Sequence, residues 1–409
     1  MKNKYQKLLC LTLLIIFFSC SEPKSEFSAI EIAQDSLIID THIDVPFRLW
    51  MQHQSGKQID DISNLTSGDF DYYRSLRGGL NIPFFSIYLP ANAEQDRTSY
   101  VMANDLIDMV EDIVSLNPQK FYLVRSVSEA LSMPIEGVIG IALGMENGAP
   151  LEGDLTRVKY FFDRGIRYIT LTHSKSNHIS DSSYDPNTQW DGLSEFGKRL
   201  IVEMNKVGVM IDVSHVNDEA FYQAVQLSEV PLIASHSSLR YFTPGFQRNV
   251  SDDMLIKLAE KGGVIQINFG SDFISQISRD FRIKQEEYIL SKLQEKNIDK
   301  DDPQDYALRA DILRKEYALL NNYPYSEISS VIDHIDRVVN LVGIDHVGLG
   351  SDFDGVGDTL PVGLKDVSMY PNLIERLIER GYSPLDIKKI LGGNTLRVWR
   401  EVELYADGQ

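Results

Sequence analysis

The sequence predicts an α/β fold, a (β/α)8 barrel of the TIM type, and three observations predict it. Eight short apolar runs are spread along the chain between Leu37 and Asp352. Each is nearly continuous in hydrophobicity rather than alternating, the pattern of strands buried on both faces of a parallel sheet. Amphipathic helical stretches separate the runs, and eight strand–helix units argue for closure into a barrel. The chain has 409 residues, enough for one such barrel with insertions.

In order, the runs are Leu37–Asp44, Leu80–Pro90, Val138–Glu146, Tyr168–Ser174, Val207–His215, Pro231–His236, Gly263–Gly270 and His346–Asp352. Between them, Thr98–Asn117, Leu155–Gly165, Leu193–Gly208 and Asp252–Gly262 read as helices, and Gly165, Gly208 and Gly262 sit where a helix C-cap glycine belongs. One spacer is anomalous. Residues 272–330 run through Lys284–Lys300 and Tyr306–Leu320, rich in Glu, Lys, Leu and Gln, and read as a helical insertion after strand seven. Such an insertion either covers the mouth of the barrel or builds a subunit contact. The tail, Tyr382–Glu403, reads as helices that close the barrel. The barrel domain is expected to span 36–409.

The first residues read as an export signal. Lys2, Lys4 and Lys7 form a positive region, Leu8 to Phe18 is an almost unbroken apolar run, and Ser19-Cys20 follows. The run is too short to span a bilayer comfortably. Its ending resembles a bacterial lipoprotein signal, with Cys20 the lipidated first residue of the mature chain and 21–35 a tether. The expectation is an exported protein anchored in a bacterial-type cell envelope, on its periplasmic or surface face, touching membrane only through the lipid. The alternative is ordinary cleavage and a soluble exported protein. Cys10 and Cys20 are the only cysteines, so the folded body has no disulfide framework, thiolate ligand or thiol nucleophile. Forty basic against fifty-nine acidic residues give a net charge of −19, which argues against a nucleic-acid partner.

Polar residues collect at the ends of the runs. The first ends in His42-Ile43-Asp44; a pair two residues apart shares one face of a strand and suits a divalent metal. The third ends at Glu146, costly to bury unless paired or metal-bound. The next three end at His173, His215 and His236, and the last at Asp352. A lone histidine or aspartate in such a place is usually a satisfied structural group. Four of only eight histidines in the same structural position are not so easily dismissed. In a barrel the C-terminal strand ends converge on the face that carries the active site. Imidazoles with carboxylates and no thiolate favour Zn²⁺, with Mn²⁺, Co²⁺ or Fe²⁺ as alternatives. Three histidines and two carboxylates exceed the needs of one catalytic ion, and a pair of ions bridged by one carboxylate would use them all.

From about Leu37 to Glu403 the chain resembles the membrane dipeptidase (renal dipeptidase) family of metallopeptidases, within the amidohydrolase superfamily. The motifs are Ile39-Asp40-Thr41-His42-Ile43-Asp44, Tyr168-Ile169-Thr170-Leu171-Thr172-His173, Gly192-Leu193-Ser194-Glu195-Phe196-Gly197, Asp212-Val213-Ser214-His215, Ser235-His236-Ser237-Ser238, Arg248-Asn249-Val250 and Gly350-Ser351-Asp352-Phe353-Asp354-Gly355. The resemblance implies a zinc-dependent dipeptidase, tolerant of D-residues at the second position, acting through a metal-bridging hydroxide. It implies that His42 and Asp44 hold the first of two Zn²⁺, that Glu146 bridges, and that His215 and His236 hold the second. It further implies that His173 meets the substrate carbonyl or its oxyanion, that Arg248 binds the substrate's C-terminal carboxylate, and that Asp352 moves the proton. A homodimer is implied as well.

The chain departs from the family pattern at Gly270, where mammalian members carry Tyr, and at Asn147, which replaces a Gly beside the bridging Glu. The 272–330 insertion is also larger. Two competing readings stand beside the dipeptidase. One is another hydrolase of the superfamily acting on a lactone or an N-acyl amino acid; the other is a non-catalytic surface lipoprotein that binds a peptide on a retained barrel.

Overall fold

The computed structural model describes residues 28–133, 137–296, 298 and 303–409. The expected signal segment, Cys20 and the start of the tether lie outside the described residues. The strands are β1 Ile38–Ile43, β2 Leu80–Tyr88, β3 Phe121–Leu123, β4 Ile139–Glu146, β5 Ile166–Thr170, β6 Met210–Asp212, β7 Ile233–Ala234, β8 Val264–Ile267 and β9 Val347–Leu349. Every pairing among them is parallel, in the order β2-β1-β9-β8-β7-β6-β5-β4, and β2 pairs again with β4. That last pairing closes an eight-stranded (β/α)8 barrel, as the apolar runs predict. The short β3 stands outside the ring and pairs with the start of β4; its three residues, lying in a polar stretch, give no sequence signal.

Both faces of the strands are buried, which is why their sequences do not alternate. The outer face packs against the helices through residues such as Phe85, Leu143, Ile211 and Leu349. The interior is filled by Ile39, Ile82, Phe84, Ala142, Tyr168, Met210, Ile233 and Val264. Trp399, with Val398 and Val402, enters from the last helix, Asn394–Asp407, and joins this cluster. Its ring meets Phe84 at 5.4 Å, and Phe84 stacks on Tyr168 at 5.7 Å. The expected closing helices of the tail therefore supply the barrel's plug.

Seven of the eight expected strands are shorter at their C-terminal ends than their apolar runs; only the one that closes at Glu146 is not. At some of these ends side chains take over the backbone donors that a further ladder rung would use. Asp212 accepts from the Ser214 and Ser235 amides, and Asn268 accepts from the Gly270 amide. In the 272–330 segment, helices Gln276–Glu295 and Pro303–Leu320 pack together over a small core of Ile289, Leu293 and Leu313. The first of them begins at Gln276 rather than Lys284.

Candidate metal centre

The strand ends deliver their polar residues to one place. His42 is in β1, and Asp44 just beyond it caps the helix Val45–Gln54. Glu146 closes β4. His173, His215, His236 and Asp352 lie in the turns just past β5, β6, β7 and β9. His215 and Asp352 reach inward by adopting left-handed backbone, with φ of 70° and 65°. Such conformations are uncommon outside glycine and concentrate at functional sites. Asn147 has φ of 78°, a left-handed conformation that asparagine adopts more readily than most residues. Its side chain holds the turn by donating to the Leu89 carbonyl and accepting from the Ala149 amide.

Glu146 is the hub. Its Oε2 lies 3.4 Å from His42 Nε2, while Oε1 lies 3.1 Å from His215 Nε2, 3.2 Å from His236 Nε2 and 3.6 Å from His173 Nε2. Asp44 Oδ2 stands 3.4 Å from His42 Nε2. Ligand atoms of His42, Glu146 and His236 fall within 4.8 Å of one another, as do those of Glu146, His173 and His215, and those of His42, Asp44 and Asp352. The three groups share Glu146 and His42, so they form one continuous cluster rather than separate sites.

The far sides of two imidazoles are tied down. His42 Nδ1 is 2.9 Å from the Tyr168 hydroxyl, which donates onward to the Thr41 carbonyl. The Nδ1–H of His42 is therefore the donor, and Nε2 is left as a lone pair aimed at the cluster. Gly144 makes room for this phenol: a Cβ there would fall 1.9 Å from Tyr168 Cζ. His236 Nδ1 is 2.7 Å from Ser235 Oγ, and that hydroxyl donates to Asp212 at 2.6 Å. Again Nε2 is the free nitrogen. Partners of this kind orient metal-binding imidazoles and fix their tautomer.

The electrostatics fit a cation. Burial, aided for His236 by His42 and for His215 by Arg248, holds both imidazoles well below their usual value, in the neutral form that ligates metal. Their Nε2 atoms nevertheless face each other at 2.9 Å beside one carboxylate oxygen. Burial disfavours charge on His42, but Tyr168, Glu146 and Asp44 together raise it well above the ordinary range. Burial works against charge on Glu146 too, and His42 and His173 overcome it, holding the carboxyl well below the usual range. Burial, then the charge of Asp44, pushes Asp352 up to about 8. His42 Nε2 is buried without a hydrogen-bond partner. Buried imidazole nitrogens and carboxylate oxygens converging on one point match a divalent ion.

A cleft of about 1000 Å³ opens above the cluster. Asp44, Glu146, His173, His215, His236 and Asp352 line its floor. Asp352 Oδ2 accepts from the Asn268 amide at 2.7 Å. Arg248 lies just behind the wall, 3% exposed, with Nη1 on Ser237 Oγ and Nη2 on the His236 carbonyl, both at 2.7 Å. Its Nε has no partner. Arg279 and Arg282 of helix Gln276–Glu295 also line the cleft, so the insertion reaches the barrel mouth. Phe273 and Val356 occupy the space beside Gly270, where an added Cβ would lie 3.0 Å from each. Sequence reasoning found the cluster but missed Tyr168, Ser235, Asp212, Asn268 and the cleft residues Tyr88, Tyr184 and Phe273. The first three stand inside motifs already quoted, as ordinary-looking strand residues.

Relatives share this arrangement of chain. An uncharacterized dipeptidase of Schizosaccharomyces pombe is 31% identical over 390 residues, covering 92% of this chain and 83% of its own length. Dipeptidase 3 of Mus musculus is 28% identical, covering 94% of this chain and 68% of its own. The probable dipeptidase PvdM from Pseudomonas aeruginosa superimposes with a TM-score of 0.78 at 28% identity, over 92% of this chain and 98% of that one. A metallo peptidase from Rhodobacter sphaeroides, solved with a phosphinate mimic of L-Ala-D-Ala, shares the fold with a TM-score of 0.71 at 23% identity, over 90% of this chain and 100% of that one. The sequence profile of the membrane dipeptidase family, peptidase family M19, matches residues 27–409. With that match across nearly the whole chain and a cluster of histidines and carboxylates at the barrel mouth, this protein belongs to the membrane dipeptidase family and is a metallo-dipeptidase, a hydrolase of peptide bonds.

Proposed function

We propose that this chain is an exported, lipid-anchored dipeptidase that holds two zinc ions and cleaves dipeptides with a free C-terminal carboxylate, accepting L- or D-residues at the second position. The observation that carries the reading is the Glu146 carboxylate, which turns Oε2 to His42 at 3.4 Å and Oε1 to His215 and His236 at 3.1 and 3.2 Å. One oxygen toward each donor set is the disposition a bridging ligand needs. His42 and Asp44 with Glu146 would hold one ion, and His215 and His236 with Glu146 the other. Mn²⁺ or Co²⁺ would suit the same donors. Bound zinc supplies Lewis acidity, generating hydroxide from water near neutral pH and polarising a carbonyl oxygen.

The chain's own side chains do the rest. Asp352, held by Asn268, takes the proton of the attacking water and passes it to the departing amine. His173, on the cleft wall, faces the oxyanion that develops on the substrate carbonyl. Arg248 receives the terminal carboxylate, a task suited to a planar fork already anchored at two nitrogens. That clamp makes the enzyme measure length. It reads the carboxylate and not the side chain, so the clamp itself would accept either stereochemistry. A lactone offers Arg248 no carboxylate, so the lactonase alternative gains no support.

Export and lipidation at Cys20 are proposed from the sequence alone; among the described residues no helix is long and apolar enough to cross a membrane. A homodimer rests on the family resemblance. The test is elemental analysis after chelator-free purification, followed by a dipeptide panel that includes D-residues at the second position, with and without chelator. Two metals per chain and chelator-sensitive cleavage are expected. Fewer than one metal per chain, or no cleavage of any dipeptide, would overturn the reading.

A further inference from the structure

Arg279 faces the cleft from the helix Gln276–Glu295. Its guanidinium stacks on the Phe246 ring at 3.7 Å, and its side chain is only 22% exposed. Stacking fixes the plane of the fork without consuming its N–H groups. The nearest carboxylate, Asp272, is 3.9 Å away, beyond hydrogen-bond distance. Among the described residues no protein acceptor is hydrogen-bonded to this guanidinium, and Asp272 is its one ion-pair partner. Other partly buried arginines of the chain are spent. Arg240 is paired through two nitrogens with Asp218, Arg337 pairs with Asp252, and Arg48 pairs with Asp60 and Asp354. Arg282, also on the cleft wall, is engaged with Gln285 and Glu286. A guanidinium that is oriented, partly desolvated and paired with Asp272 without a hydrogen bond keeps its N–H groups for an anion that arrives from the cleft.

Its position says which anion. Phe246 meets Phe273 edge to face at 5.7 Å, and the Phe273 ring lies 5.5 Å from the Arg248 guanidinium. Arg248 and Arg279 thus flank one pair of aromatic rings. Asp44 and Asp352 gather around His42, while Asp272 is the carboxylate beside Arg279 and Glu286 the one beside Arg282. A dipeptide whose terminal carboxylate lay against Arg248 would carry its second side chain on the adjacent carbon, from which the aromatic pair leads to Arg279. The chain as a whole bears −19 charges, so its surface repels acidic substrates and any preference for them must be made locally.

We propose that Arg279 is a specificity-determining residue that binds the side-chain carboxylate of an acidic second residue, making dipeptides that end in Glu or Asp the favoured substrates. This rests on the dipeptidase reading with Arg248 as the clamp. The experiment compares Ala-Glu with Ala-Gln, in L- and D-forms at the second position, on the metal-loaded full chain. It uses wild type, Arg279→Gln, Arg279→Lys and, as a control on the same helix, Lys292→Gln, whose exposed side chain pairs with Glu295. A charge-assisted contact predicts a kcat/KM ratio of about 10 or more for Ala-Glu over Ala-Gln in wild type. That ratio should collapse toward one in Arg279→Gln, be partly kept in Arg279→Lys, and stay at the wild-type value in Lys292→Gln. A wild-type ratio near one, or a high ratio unmoved by Arg279→Gln, overturns this assignment while leaving the dipeptidase reading intact. Failure to cleave either peptide in any form overturns both.

Discussion

The phenol of Tyr168 stands 2.9 Å from Nδ1 of His42, on the far side of the ring from the nitrogen that faces Glu146. Both residues are fully buried, and the hydroxyl has a second partner in the Thr41 carbonyl. The pair ties a proposed ligand on the first strand to the floor of the barrel.

Removing that tie weakens metal binding without removing a ligand. Tyr168→Phe keeps the ring stack on Phe84 and loses only the oxygen. The expected loss is about 10- to 100-fold in metal affinity, in line with other partners of ligating histidines. Competition with a chromogenic chelator measures it. An unchanged affinity would reduce Tyr168 to a packing residue.

Arg248→Ala separates substrate binding from the metal centre. It raises KM for dipeptides by about 10-fold or more, because a charge-assisted pair is lost, while the metal content stays at the wild-type value. Steady-state kinetics and elemental analysis on the same preparation check both halves. Unchanged kinetics would remove the carboxylate clamp.

Gly355 has no space for a side chain. A Cβ there would fall 2.2 Å from Asp352 Oδ1 and 2.2 Å from Asp44 Oδ2. Gly355→Ala must therefore displace both carboxylates, and kcat is expected to fall about 100-fold or more while the melting temperature shifts by only a few degrees. Calorimetry beside the activity assay distinguishes this from general unfolding. A fully active alanine variant would mean that these carboxylates tolerate displacement.

His334 makes stability depend on pH from a site outside the metal cluster. Its Nδ1 accepts the Leu239 amide at 3.0 Å, and Nε2 donates to the Ile274 carbonyl at 3.3 Å. Burial pushes the imidazole down to about 3. The unfolded chain takes up this proton near pH 6.5 and the folded chain does not, so the contribution is present at neutral pH and is lost as pH falls toward 3. Relative to His334→Gln, the wild type should lose on the order of 3 kcal/mol of unfolding free energy between pH 7 and pH 4. Denaturant titrations at both pH values measure this. Parallel pH dependences of the two proteins would refute it.

The barrel was legible because its strands are buried on two faces and so read as unbroken apolar runs. Their ends were not, because Asp212 and Asn268 stop the ladder with side-chain hydrogen bonds that a hydropathy pattern does not contain. The cluster was legible because histidine is scarce and four of eight fall just at strand ends. Tyr168, Ser235 and Asp212 were hidden for the opposite reason: on a strand they look like ordinary core residues, and only the coordinates pair them with His42 and His236. Arg279 gives no signal at all. Its meaning comes from Phe246, which reaches it from the loop between β7 and the helix Asp252–Glu260.

The barrel plug carries a consequence of its own. Trp399 braces Phe84, Phe84 braces Tyr168, and Tyr168 braces His42. A ligand near the beginning of the polypeptide is thus propped by a ring near its end. Every proposed ligand precedes Trp399 in the sequence, so the wall behind His42 is complete only once the last helix has docked. A chain cut before Trp399 would keep all of its proposed ligands and lose the brace behind the first of them.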